Sequence, residues 1–123
     1  MEKLKLADSA LASLEAILEE PYTVIVRDAT IQRFEYTSEV IWKAVSAWLK
    51  SSESVEENHP RGCYRALFRI GVIDEDLATR LLLSIEDRNR TSHAYIEALA
   101  QSVFERIPAH AKAFRELLNS MRA

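Results

Sequence analysis

Between residues 86 and 95 the chain reads Glu86-Asp87-Arg88-Asn89-Arg90-Thr91-Ser92-His93-Ala94-Tyr95. Two guanidiniums, an amide, two hydroxyls, an imidazole and a phenol thus follow directly on an apolar run, Leu81-Leu82-Leu83-Ser84-Ile85. Histidine is the side chain that exchanges a proton near neutral pH. Arginine carries a permanent charge on a planar fork that matches a phosphate, and asparagine can orient a substrate oxygen. Together Arg88, Asn89 and His93 suit cleavage of RNA without a metal or other cofactor. His93 would take the 2′-hydroxyl proton while Arg88 stabilises charge building on the phosphorus oxygens. A positioned base of this kind contributes a factor of ~10²–10⁴ in rate, and electrostatic stabilisation adds to it. A structural reading competes with this one. Arg88 could pair with Glu86 or Asp87, and His93 could sit at the C-terminal end of a helix, where a cation is favoured.

The spacing sets a geometric problem. Five residues along an ideal helix turn Arg88 and His93 about 140° apart. If both serve one site, either the helix ends or distorts inside the motif, or two copies of the chain meet there.

The elements that carry the motif follow from composition and periodicity. The sequence has 123 residues, 48% of them hydrophobic, with two glycines and three prolines. So few chain breakers argue for long helices in a single domain, residues 1–123, with a substantial core. A net charge of −3 does not advertise nucleic-acid binding, so any RNA contact would rest on a local basic patch. Cys63 is the sole cysteine, which excludes an intrachain disulfide and fits a reducing cytosol. With no apolar signal core and no run that could span a bilayer, the expectation is a soluble, cytoplasmic protein.

Leu4, Ala7, Leu11, Leu14 and Leu18 recur at helical spacing, and Pro21 is expected to close that helix. A second long helix is expected from about Thr23 to Lys50, with Ile31, Phe34, Ile41, Val45 and Trp48 on its stripe and Ser38 as the polar gap. Glu39 and Lys43 stand in the favoured i,i+4 order on it. Ser51 to Asn58 is polar and reads as a loop. Pro60 suits the first turn of a short helix through Tyr64, Leu67, Phe68 and Ile70, with Gly71 at its C-terminal end. Asp74 is the expected N-cap of a fourth helix that turns Leu77, Leu81 and Ile85 inward. A final helix follows from Ile96 through Leu99, Val103, Ile107, Ala111, Phe114, Leu118 and Met121, kinked rather than ended by Pro108. No segment alternates with the two-residue period of a strand. The expected fold is all-α, an up-and-down antiparallel bundle of four long helices and one short one.

Other residues carry weaker signals. His59 and Cys63 stand four apart, but two ligands do not make a metal site. His110 has no partner in sequence and is expected at the surface. Trp42 and Trp48 suit core or interface packing better than base stacking. Arg61, Arg65 and Arg69 recur every four residues, which reads as a solvated face or, more sharply, as a phosphate track or acidic-partner surface.

The segment Arg88 to His93 is similar to the Arg-x4-His signature of HEPN domains, and Tyr95 completes the Arg-x4-His-x-Tyr form of HepT-like members of HEPN/MNT toxin–antitoxin pairs. A second block, Arg27-Asp28-Ala29-Thr30-Ile31-Gln32-Arg33-Phe34-Glu35-Tyr36-Thr37 followed by Trp42-Lys43, resembles the long second helix of the nucleotidyltransferase substrate-binding protein subgroup. Ser38 departs from that pattern, where relatives commonly carry a bulky apolar residue. The resemblance implies a HEPN-like bundle that forms a homodimer with two motifs facing one cleft, and a cognate MNT-type nucleotidyltransferase as partner. Carried onto this chain, it implies Arg88 and His93 as catalytic residues of a ribonuclease toxin, with Asn89 in support. Tyr95 becomes the hydroxyl to which the partner adds AMP, placing a bulky anion beside His93 where RNA phosphate would bind. Without that role Tyr95 reads as a half-buried aromatic at the start of the fifth helix. The alternative to the toxin is a non-catalytic subunit that docks the nucleotidyltransferase and presents a substrate to it. A plain dimeric scaffold is the third reading.

Overall fold

A computed structural model describes residues 2–122. Five helices form: α1 Glu2–Ile17, α2 Val24–Glu53, α3 Pro60–Arg69, α4 Glu75–Arg90 and α5 Glu97–Arg122, with a single 3-10 turn, Thr91–His93, between the last two. No strand occurs among the described residues.

The ends of these helices follow local chemistry. Thr23 starts α2 in an extended conformation, and its Oγ1 accepts the Val26 N–H at 3.0 Å. Asp74 caps α4 in the same way, accepting the Leu77 N–H at 2.8 Å. Pro60 occupies the first turn of α3, where its missing N–H costs nothing. Beyond α3, Gly71 takes φ +83°, the left-handed conformation that closes a helix. The Gly71 N–H then reaches Phe68 O at 3.1 Å and the Val72 N–H reaches Leu67 O at 2.9 Å, which satisfies the last carbonyls. Helix α5 runs through Pro108 without ending there.

Two boundaries differ most from the sequence expectation. Helix α1 ends at Ile17, and the chain unwinds through short turns (Glu19 N–H to Ala16 O and Glu20 N–H to Ile17 O) before Pro21. Helix α2 extends to Glu53, so Ser51 and Ser52 are helical rather than part of a loop. Ser54 ends it at φ 54°. The Val55 N–H closes that cap on Leu49 O at 3.0 Å, and the loop beyond returns along α2, where Ser46 Oγ donates to Glu57 O at 2.6 Å.

Cross-helix contacts fix the topology. Thr37 Oγ1 donates to Ala10 O at 3.1 Å and Arg33 Nη1 to Ser13 O at 2.8 Å, so α1 and α2 are antiparallel. Arg115 ties α5 to α1 through Asp8 at 2.6 Å and Glu15 at 2.7 Å, and Arg122 reaches the same Asp8 at 3.0 Å. Arg80 reaches from α4 to Glu116 on α5 through two contacts of 2.8 Å. The long helices therefore run up, down, up and down, with α3 inside the α2-to-α4 connection. Leu11, Phe34, Ile41, Leu81, Ile107 and Phe114 meet at the centre, wholly or almost wholly buried. Each such side chain contributes roughly 1.5–3 kcal/mol on transfer from water. Ile96, expected on the inward stripe of α5, precedes the helix and is exposed.

Candidate functional site

The polar motif straddles the end of α4. The helix stops at Arg90, and Thr91–His93 tightens into the 3-10 turn. Thr91 Oγ1 donates to Arg88 O at 2.6 Å, and Ser92 Oγ donates to Asn89 O at 2.9 Å, so the motif's own hydroxyls satisfy the last carbonyls of the helix. The helix thus ends inside the motif within one chain. No hydrogen bond joins His93 to Arg88 among the described residues: Arg88 turns to Thr91 and α2, and His93 to Tyr95.

Arg88 and Asn89 sit on the last turn of α4. Arg88 is half-buried against α2, with Nη1 at 3.1 Å from Thr91 Oγ1 and at 3.5 Å from Glu35 Oε2, and Nη2 at 3.8 Å from Glu39 Oε1. Its nearest acidic partners are therefore on α2, not the Glu86 or Asp87 that sequence proximity suggests. Glu35 lies in the second sequence block and Glu39 just beyond it, so this contact is one physical link between that block and the motif. Beyond the turn, His93 Nδ1 lies 3.0 Å from the Tyr95 hydroxyl, with the rings edge to face at 5.8 Å. The pair lies at the surface. Tyr95 is 80% accessible, which removes the reading of a half-buried packing aromatic.

The residue that sequence reasoning passed over is Asp87. It is 1% exposed and accepts hydrogen bonds from α5 as well as from its own helix. Arg106 of α5 approaches it as a fork, Nε and Nη2 each at 2.8 Å, and Arg90 Nη1 adds a third contact at 2.8 Å. His110 Nε2 completes the set at 2.7 Å. Against an ionised carboxylate the imidazole carries its proton on Nε2. Burial alone would push the Asp87 carboxyl up, but the hydrogen bonds from Arg106, His110 and Arg90 outweigh it and hold the group well below the usual carboxylate range. His110 is accordingly not at the surface, as its isolation in sequence suggested. It is buried, and it stacks on Phe34 of α2 at 5.4 Å between centroids. The signal that could have revealed the pair is the one-turn spacing of Arg106 and His110 on the face of α5 that meets α4.

Arg27 does the equivalent work at the far side of the motif. It is buried at the first turn of α2, and its guanidinium forks onto Glu97, the first residue of α5, with Nη2 at 3.2 Å from Oε2. Gln101 accepts a further contact at 3.3 Å. The segment carrying His93 and Tyr95 is thereby held at both ends, by Asp87 before it and Glu97 after it.

The remaining candidates are placed apart. Cys63 is buried, with Sγ 3.7 Å from Glu57 O, while His59 is exposed at the start of α3. No group of three His, Cys, Asp or Glu side chains at metal-binding distances occurs among the described residues. Arg61, Arg65 and Arg69 line the exposed face of α3, where Arg69 approaches Glu57 at 3.7 Å. Trp42 and Trp48 are partly buried against the core. No helix is long and apolar enough to cross a membrane among the described residues.

The pattern described as "Nucleotidyltransferase substrate binding protein like" matches residues 2–123. The chain belongs to that family. A solved structure from Thermus thermophilus is similar to this member of the family, with 39% identity and a TM-score of 0.88 over 95% of this chain and 99% of the other. HI0074 of Haemophilus influenzae, described as having the fold of a substrate binding domain of a nucleotidyltransferase, superposes with a TM-score of 0.79. The match covers 98% of this chain and 99% of the other at 22% identity, a likeness of fold. Comparison with curated proteins gives no match. The nucleotidyltransferase substrate-binding-like family is thus the setting for the motif, the Asp87 cluster and the Arg27 fork.

Proposed function

We propose that this chain is the non-catalytic substrate-binding and docking subunit of a nucleotidyltransferase, with the face formed by Arg88, Asn89, His93 and Tyr95 as its working surface. Membership in the substrate-binding-like family supports the class of function. The observation that carries the choice is the state of Arg88. Glu35 and Glu39 flank its guanidinium within 4 Å, so an incoming phosphate meets two carboxylates as it approaches that guanidinium. That arrangement opposes stabilisation of a phosphorane-like charge and suits recognition of a partner or a neutral substrate. The test is co-purification of the tagged chain with a nucleotidyltransferase of the MNT type, read by size exclusion. A complex that survives His93→Ala and forms without inhibiting growth supports docking; two components that elute separately overturn it.

A second reading keeps one specific observation in its favour, the exposed His93–Tyr95 pair. On this reading the chain is a HEPN, HepT-like ribonuclease acting as a homodimer, with Arg88, Asn89 and His93 in the cleft, and the nucleotidyltransferase silences it. The Tyr95 oxygen attacks the α-phosphorus of ATP, pyrophosphate leaves, and the phenol proton passes to His93 Nδ1. RNA cleavage by the purified chain, lost in His93→Ala with the fold intact, would favour this reading over docking.

A further inference from the structure

Behind Arg88 a small cavity of about 50 Å³ opens between α2, α3 and α4. Ser38, Glu39, Trp42, Tyr64, Arg88 and Asn89 line it. Among the described residues, two buried side-chain polar atoms make no hydrogen bond, Ser38 Oγ and Arg88 Nε, and both residues belong to this lining. Ser38 is 8% exposed. Buried polar groups are nearly always paired, so two orphans on one cavity mark a place built to hold a hydrogen-bonding guest.

The chemistry of the lining selects the guest. Arg88 Nε is a donor only, Ser38 Oγ is both donor and acceptor, and a carboxylate such as Glu39 is an acceptor only. The Trp42 indole N–H donates to Glu39 Oε2 at 3.2 Å and so fixes that carboxylate at the cavity. Glu39 disfavours an anion here, and Arg88 disfavours a cation. A neutral group with a carbonyl oxygen beside an N–H satisfies both orphans and the carboxylate. We infer that this cavity is the subsite for the neutral amide or imide edge of the substrate, with Ser38 as the residue that admits it. The inference rests on the substrate-binding reading and names the chemistry of what is bound.

The test is titration of the ¹⁵N-labelled chain with uracil, with N-methylacetamide and with orthophosphate, followed by NMR. An amide-type probe is expected to move the Trp42 indole and Ser38 amide signals saturably in the millimolar range, while orthophosphate leaves them in place. Uracil alone would identify a nucleobase edge and N-methylacetamide alone a carboxamide; either supports the subsite. Ser38→Val should weaken binding at least ~10-fold, the loss expected when a buried hydrogen bond is replaced by an apolar side chain. Ser38→Ala, which removes only the hydroxyl, serves where valine disturbs folding and should weaken binding in the same direction. Absence of shifts with both amide probes, affinity equal to the parent chain's in both variants, or saturation of the same signals by orthophosphate would overturn the inference. Co-purification with the nucleotidyltransferase is scored on the same samples. Docking without probe binding overturns the subsite alone, whereas probe binding without docking counts against the subunit reading and leaves the subsite standing.

Discussion

Asp87 and His110 meet at 2.7 Å in the seam between α4 and α5, beside a bidentate fork from Arg106. The carboxylate directly precedes Arg88, so this contact holds the last turn of α4 in a fixed rotation about its axis. His110 is held in turn by its stack on Phe34. The orientation of Arg88 toward Glu35 and Glu39 is therefore set by a cluster centred on the buried Asp87 and His110.

Replacing Asp87 with asparagine should cost about 2–4 kcal/mol of stability. Breaking a buried ion pair costs about 3–5 kcal/mol, and the exposed flanks of Arg90 and Arg106 reduce that figure. Urea unfolding should show a lower midpoint at an unchanged slope. A midpoint equal to that of the parent chain would remove Asp87 from its anchoring role.

The same carboxylate makes stability depend on acid. Its folded value lies below the ordinary carboxylate value of about 3.9. Its contribution is thus fully present above that pH and is lost as pH falls toward the folded value. Urea midpoints measured from neutral pH downward should fall steeply below about pH 4. Asp87→Asn should show a shallower acid slope, the remainder coming from Asp8, Glu97 and Glu116, which are also held below their ordinary values by arginine partners.

Arg27→Leu should loosen the start of α5 without unfolding the bundle. Leucine fills the buried site but releases Glu97 and Gln101. Hydrogen exchange is the direct readout: the Ala100 amide, bonded to Ile96 O at 3.0 Å, should exchange faster, while amides at the centre of α5 keep their protection. Uniform acceleration along the helix would point to a global effect instead.

Cys63 should be silent toward thiol reagents in the folded protein. Burial and the nearby Glu57 carboxylate push its thiol up to about 11, so little thiolate exists at neutral pH. Reaction with a chromogenic disulfide should appear only when denaturant is added. Rapid labelling of the native chain would contradict the packing of α3 described above.

Tyr95→Phe is expected to leave stability within about 0.5 kcal/mol of the parent, as for an exposed side chain away from the core. Under the second functional reading the same variant loses every AMP unit added during co-expression with the nucleotidyltransferase. Intact mass settles the point: an added AMP that persists in the variant excludes Tyr95 as acceptor.

The helices and most of their caps are legible along the chain. Thr23, Gly71 and Asp74 act through bonds to residues within a few positions, Pro60 through its fixed backbone angle and missing N–H, and the apolar stripes follow a fixed helical period. The motif and the block around Arg27 and Phe34 are equally legible, because residue type and spacing are local properties. What those residues touch is a matter of packing. Asp87 finds His110 and Arg106 across the α4–α5 seam, Arg88 finds Glu35 and Glu39 across α2, and Arg27 finds Glu97 seventy positions away. Helix α2 also runs on through Ser51 and Ser52, whose polar side chains read as loop, until the left-handed Ser54 closes it. Hydrogen bonds and ion pairs between helices depend on rotation and register at the moment of packing. Those are set by the whole core at once and leave no periodic trace in any one segment.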